Sequence, residues 1–220
     1  MRLSLEASDL KSYLRTQLRF HFPVADGAFA GFDEVVDEAL RRLAVCFRDV
    51  VLPGYRKNGE PFFNHLHADQ NASFYYFCAN SAYRSGLLEL ASLFFLFNKM
   101  QNGLVCMYDT ALPDVFLLIH TVGTVLGKAS YGSNFVAYQN VTVGTESGRQ
   151  PAIGDGVVIY GGSMILGGTS LGSGSVVSAN STVIDDTVPA DHIAIGRSPE
   201  LLIKARRRNF MEQYWDSVAP

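Results

Sequence analysis

Five histidines are the side chains of this sequence best suited to proton or metal chemistry: His21, His65, His67, His120 and His192. An imidazole, with an ordinary pKa of about 6.5, takes a proton at neutral pH or ligates a metal through a ring nitrogen. Two of the five fall in the polar run Asn64-His65-Leu66-His67-Ala68-Asp69-Gln70, between apolar stretches. His-x-His-x-Asp has donor types that suit zinc, but no third or fourth ligand is evident nearby, so no metal is expected. Asp69 is equally suited to capping a helix. The three cysteines, Cys46, Cys78 and Cys106, are far apart and form no CxxC. That excludes a disulfide framework and a cysteine zinc finger, and fits a reducing compartment. Gly123 to Ala129 is a near-miss to a phosphate-binding loop, one residue short and without the following Ser or Thr. The basic run Arg206-Arg207-Arg208 reads as a solvated face.

The elements that must position these groups change character along the chain. At 220 residues, 48% hydrophobic and 18% charged, the protein can bury a core as one large or two small domains. A net charge of −3 argues against nucleic-acid binding. The first 20 residues do not read as a signal peptide. The most apolar run, Leu87 to Phe97, contains Glu89 and is too short to span a bilayer. A soluble, cytoplasmic protein that binds no membrane is expected. Residues 1–118 hold 6 of the 20 glycines and residues 119–196 hold 14, while 13 of the 15 phenylalanines precede residue 119. The first part reads as helices. Val35, Val36, Leu40, Leu43, Ala44 and Phe47 recur at helical spacing, with acidic residues in the first turns. Pro53, Gly54 and Asn58-Gly59 then break the chain. Residues 70–84 and 86–102 are further helical candidates, the first with Asp69 as a possible cap and the second ended by Gly103.

The second part carries a fixed period. From Ile153 an aliphatic residue recurs every six positions, at Ile159, Ile165, Leu171, Val177 and Val183, separated by small, turn-prone residues. A weaker copy lies upstream at Ile119, Val125, Tyr131, Ala137 and Val143. Between Val143 and Ile153 the spacing is broken by a four-residue excess, which implies a loop at 144–152. Six residues of α-helix turn through about 600°, so a helix cannot keep this repeat on one face. Three short strands per 18-residue coil can, with the aliphatic residue inward and small residues at the corners. Residues 119–196 hold roughly four such coils.

The stretches IHTVGTVLGKASYGSNFVAYQNVTVGT, GRQPAIGDGVVIYGGSMILGGTSLGSGSVVSANSTVI and IGRSPELLIK resemble the hexapeptide-repeat acyltransferases, and among them the serine O-acetyltransferase group. The likeness runs over about residues 104–204 and reaches SAYR at 81–84. It implies an α+β protein: an α-helical domain over 1–104, a left-handed parallel β-helix of hexapeptide repeats over 105–200, and a helical tail over 201–220. It also implies acetyl-CoA as donor and a homotrimer or dimer of trimers with sites between neighbouring subunits. His120 matches the catalytic base of the group, with Asp109 or Asp114 as candidates for the aspartate that orients it. Gly161, Gly162, Ser163 and Ala179 match the small-residue coils against which pantetheine lies, and Arg197 and Lys204 the contacts to CoA phosphates. His67 and Asp69 fall in the region that contacts the acceptor.

The sequence departs from that pattern in two places. Ile119 stands where the group usually has an aspartate, and Arg149-Gln150-Pro151 where it has arginine, histidine and proline. Arg149 is still able to grip an acceptor carboxylate, with Gln150 beside it. Acyl transfer to a small hydroxyl acceptor is therefore expected, with L-serine itself open. A sugar hydroxyl or amine of a surface polysaccharide is the alternative acceptor, and a non-catalytic β-helix scaffold the alternative role. A carbonic-anhydrase-like site is discounted, since His120 is the only histidine from 119 to 183.

Overall fold

The structure, a computed structural model, describes residues 1–216. Four helices form the first half: α1 (Ala7–His21), α2 (Phe32–Cys46), α3 (Ala68–Arg84) and α4 (Leu88–Asn102). Of the residues at helical spacing, Val35, Val36, Leu43 and Phe47 are buried, Leu40 and Ala44 are only partly buried, and Ala39 joins the buried stripe. Gly103 ends α4 in the left-handed conformation, φ +66°, with its N–H on the Lys99 carbonyl. The break at Asn58-Gly59 is a hairpin turn, both residues having positive φ, between Arg56–Lys57 and Glu60–Phe63. Arg2–Leu3 adds to it as a third strand. The part read as helical thus holds a small sheet, built by the residues taken as breakers.

From Val105 the chain coils into a parallel β-solenoid of about five turns with three faces. The first face stacks Phe116–Leu118, Phe135–Ala137, Val158–Ile159, Val176–Val177 and His192–Ile195. The second stacks Val105–Cys106, Val125–Leu126, Thr142–Gly144, Met164–Leu166 and Thr182–Ile184. The third stacks Ser130–Tyr131, Ala152–Ile153, Ser170–Leu171 and Thr187–Val188. There is one turn more than the repeat predicts, because the coil starts before the hexads do. Ile153, Ile159, Ile165, Leu171, Val177 and Val183 all point inward, none more than 4% exposed.

Upstream, the expected register is off by one at two positions. Leu118 pairs with Ala137, and Leu126 with Val143, so Leu118 and Leu126 hold the inward sites assigned to Ile119 and Val125. The loop falls where the four-residue excess puts it. Glu146 and Arg149 exchange backbone hydrogen bonds across Ser147 and Gly148, both at positive φ, which makes its tip a two-residue hairpin.

The helical half closes the open end of the solenoid. Tyr76 Oη donates to the Thr110 carbonyl and accepts the Leu112 N–H, and Thr121 Oγ1 donates to the Asn102 carbonyl. Phe77, Phe116 and Phe135 form a ladder of rings that carries one apolar core from α3 into the second turn. The C-terminal segment is not the helix that was expected. Leu202–Ala205 is a strand antiparallel to His192–Ile195, and only Met211–Gln213 makes a helical turn, of 3₁₀ type. Residues 217–220 of the expected tail lie outside the described residues. The segment runs back along the first face: Met211 lies against Gly156, Tyr214 Oη bonds Tyr138 Oη at 2.8 Å, and Tyr214 and Asp216 bond the backbone of Val51 and Asp49. On that face the outward residues Val136, Val158 and Val176 are buried as well.

The inward column is the element that tolerates polarity worst. Ile165→Asp, which buries an unpaired carboxylate at a cost of several kcal/mol, is expected to abolish soluble expression; a soluble mutant with a cooperative melt would contradict this register.

Candidate active site

The corner between the first and second faces holds His120. In the later turns the inward residues flanking this corner are six apart, as in Ala137 and Val143, Ile159 and Ile165, and Val177 and Val183. In the first turn Leu118 and Leu126 are eight apart. Asn140, Gly162 and Asn180 donate their N–H groups to the carbonyls of Val122, Gln139 and Gly161, so Val122, Gln139, Gly161 and Ala179 stack along the edge. Ile119 donates its N–H to the Ala137 carbonyl as Tyr138 does to Ile159 and Tyr160 to Val177, so the two extra residues are His120 and Thr121. His120 bulges out of the corner at φ +53° with its side chain 73% exposed, while Thr121 is buried. A left-handed backbone at a residue with a Cβ costs on the order of 1–2 kcal/mol, so something must hold it.

Asp69 holds it. Its Oδ1 accepts the His120 backbone N–H at 2.9 Å, and its Oδ2 lies 3.6 Å from His120 Nδ1. The carboxylate is 13% exposed. Helix geometry delivers it: Asp69 and Tyr76 are seven residues apart on α3, two turns along one face. Tyr76 fixes that face to the first turn of the solenoid through Thr110 and Leu112. The carboxylate lies on the Nδ1 side of the ring, which leaves Nε2 as the ring nitrogen away from Asp69.

This corrects several sequence expectations. Asp69 does not cap α3. The helix begins one residue before it with His67 at the N-cap position, and no side-chain capping bond is made. Asp109 and Asp114 do not touch His120. Asp109 pairs with Lys128 at 2.7 Å on the next corner, and Asp114 is exposed ahead of Phe116–Leu118. His65, His67 and Asp69 do not converge: His65 goes to Ser4, His67 packs its ring on Tyr55, and Asp69 goes to His120. His67 Nδ1 is buried without a partner.

The other predicted residues divide between two edges. Gly161, Gly162 and Ala179 lie on the edge of His120, two and three turns above it. Arg197 joins the same edge one turn higher, bridged to Thr182. Ser163 is there too but with its side chain turned inward, fully buried with Oγ donating to the Ser178 carbonyl. The side chain of Gln139 covers Gly161, where an added Cβ would meet it at 2.7 Å, and Gln139 Oε1 is buried without a partner. Lys204, with Arg207, Arg208 and Phe210, lines a groove of about 330 Å³ on the first face. Arg149 and Gln150 sit on the loop at the following edge, where the Arg149 guanidinium is bonded to Asp185.

A parallel β-solenoid with an apolar hexad and a helical cap, with an exposed histidine at the foot of an edge of small residues, resembles the hexapeptide-repeat acyltransferases. No family model matches the chain. In sequence it is 28% identical over 147 residues, 64% of its length and 68% of the other protein's, to the serine acetyltransferase of Staphylococcus epidermidis. In fold it is similar to the crystal structure of serine acetyltransferase from Vibrio cholerae, with a TM-score of 0.63, 23% identity, and coverage of 86% of this chain and 72% of that one. A serine acetyltransferase in complex with CoA is similar at a TM-score of 0.59, 21% identity and coverage of 81% and 73%. The chain is thus similar, in sequence and in fold, to the serine acetyltransferases.

The cysteines lie outside this site. All three are free and buried, and burial pushes the Cys46 thiol up to about 12 and the thiols of Cys78 and Cys106 upward as well. Such thiols stay protonated and inert. Ellman's reagent is expected to find none in the native protein and all three once it is unfolded; prompt labelling of native protein would contradict the burial.

Proposed function

We propose that the protein transfers an acetyl group from acetyl-CoA to the hydroxyl of a small acceptor, with His120 as general base and Asp69 as the residue that positions it. His120 Nε2 takes the hydroxyl proton as the oxygen attacks the thioester carbonyl. The tetrahedral intermediate collapses with cleavage of the C–S bond, and the imidazolium returns the proton to the departing CoA sulfur. An alcohol is too weak an acid to attack unaided at neutral pH, so the base is asked to supply about 10²–10⁴-fold. The observation that carries this reading is the contact between Asp69 and His120.

The donor fits the same edge. Gly161, Gly162 and Ala179 leave a path along the backbone from His120 toward Arg197, four strand spacings or about 19 Å away. The unpartnered Gln139 Oε1 beside Gly161 suits an amide N–H of the pantetheine arm. Arg197 and Lys204 at the far end suit its phosphates. Arg149 projects from a different edge than His120, so the two share a site only where copies of the chain meet edge to edge. A homotrimer, alone or doubled, provides that. The three unpaired thiols are in keeping with a cytoplasmic setting.

His120→Asn retains a hydrogen bond but cannot take the proton. Its kcat is expected to fall about 10²–10⁴-fold with acetyl-CoA affinity unchanged. Asp69→Asn leaves His120 in place with the wrong tautomer favoured and is expected to lower kcat by at least about 10-fold with the melting curve near wild type. Near-full turnover of His120→Asn, read as thiol release, would place the base elsewhere.

A further inference from the structure

The charges around His120 bear on which hydroxyl compound it serves. A free amino acid is a zwitterion at neutral pH, and a site that selects it must offer an anion to its ammonium and a cation to its carboxylate. The anion in contact with the base, Asp69, is nearly enclosed, and both its oxygens are already turned to His120, one to the backbone N–H and one to Nδ1. The residue beside the base is Ile119, 8% exposed, which brings no charge. The cation of the nearby loop, Arg149, is bonded to Asp185 at 2.5 Å, and the other oxygen of Asp185 takes the Gly168 N–H at 2.6 Å. Asp185 belongs to the same chain as the loop. Arg149 therefore arrives already neutralised, even where a second copy brings it beside His120. Val122, two residues past His120 and 69% exposed, adds an apolar rim.

We infer that the acceptor is an uncharged hydroxyl compound, a sugar or polyol, and not an amino acid. The inference rests on the O-acetyltransferase reading above. It reverses the role expected of Arg149 from its sequence position, since a guanidinium held by Asp185 positions the loop and does not grip a carboxylate.

The test uses the full chain with acetyl-CoA, reading CoA release with four acceptors: L-serine, 3-hydroxypropionate, 1,2-propanediol and methyl glucoside. Removing charge is expected to leave kcat/KM unchanged or raise it, so the diol or the glucoside is used at least as well as serine. A site built for both charges would reject the diol by about 10²-fold or more, and serine preferred to that degree over both neutral compounds would overturn the inference. Ile119→Asp combined with Asp185→Asn restores an anion beside the base and frees Arg149. That variant is expected to gain about 10-fold in kcat/KM for serine and nothing for the diol; an equal change for both would also overturn it. Acetyl-CoA bound but never cleaved with any of the four would instead remove the O-acetyltransferase reading on which the inference stands.

Discussion

The carboxylate of Asp69 on the backbone and ring of His120 is the interaction on which the candidate site depends. It spans the two halves of the molecule, since Asp69 belongs to a helix and His120 to the first turn of the solenoid. A histidine on a bulged corner, three-quarters exposed and in a left-handed backbone conformation, has many orientations open to it. One acceptor for its N–H fixes the backbone, and one oxygen near Nδ1 biases the ring. The helical half thus reaches the corner of His120 as well as closing the end of the β-helix. The bonds of Tyr76 to Thr110 and Leu112, and the ring ladder through Phe77 and Phe116, keep α3 in register with the first turn.

The solenoid contributes a straight edge at one strand spacing per turn. Its corners repeat, so His120 at the bottom, small residues in the middle and Arg197 at the top fall on one line without any long-range adjustment. The C-terminal segment protects a different surface. It runs along the first face, where Val136, Val158 and Val176 are buried, and ties the top of the coil back to Asp49 and Val51. The second face keeps exposed outward residues such as Met164 and Ile184.

Much of this was legible in the residues, and the gaps have physical causes. The hexad from Ile153 to Val183 and the loop at 144–152 follow from spacing alone, because each turn there adds 18 residues or a visible excess. The first turn is off by one position on each side of its corner because two residues, His120 and Thr121, are inserted there, and the apolar neighbours Ile119 and Val125 stand six apart and imitate the period. His120 was found by resemblance, but its partner was sought among Asp109 and Asp114, the nearest aspartates in sequence. Asp69 is 51 residues away, and only the docking of α3 brings it there. The pairing of Arg149 with Asp185 spans 36 residues and left no local signal. The expected helical tail is instead a strand laid on the open edge of His192–Ile195, an edge that composition does not reveal.

The central claim is that Asp69 sets the protonation pattern of the His120 ring, and nitrogen-15 NMR of labelled histidine reads that pattern directly. In the neutral ring of the wild-type protein the Nδ1–H tautomer of His120 is expected to dominate, and Asp69→Asn is expected to abolish that preference while the other four histidines keep their signals. A dominant Nε2–H tautomer in the wild type, or a tautomer ratio that Asp69→Asn leaves unchanged, would contradict it.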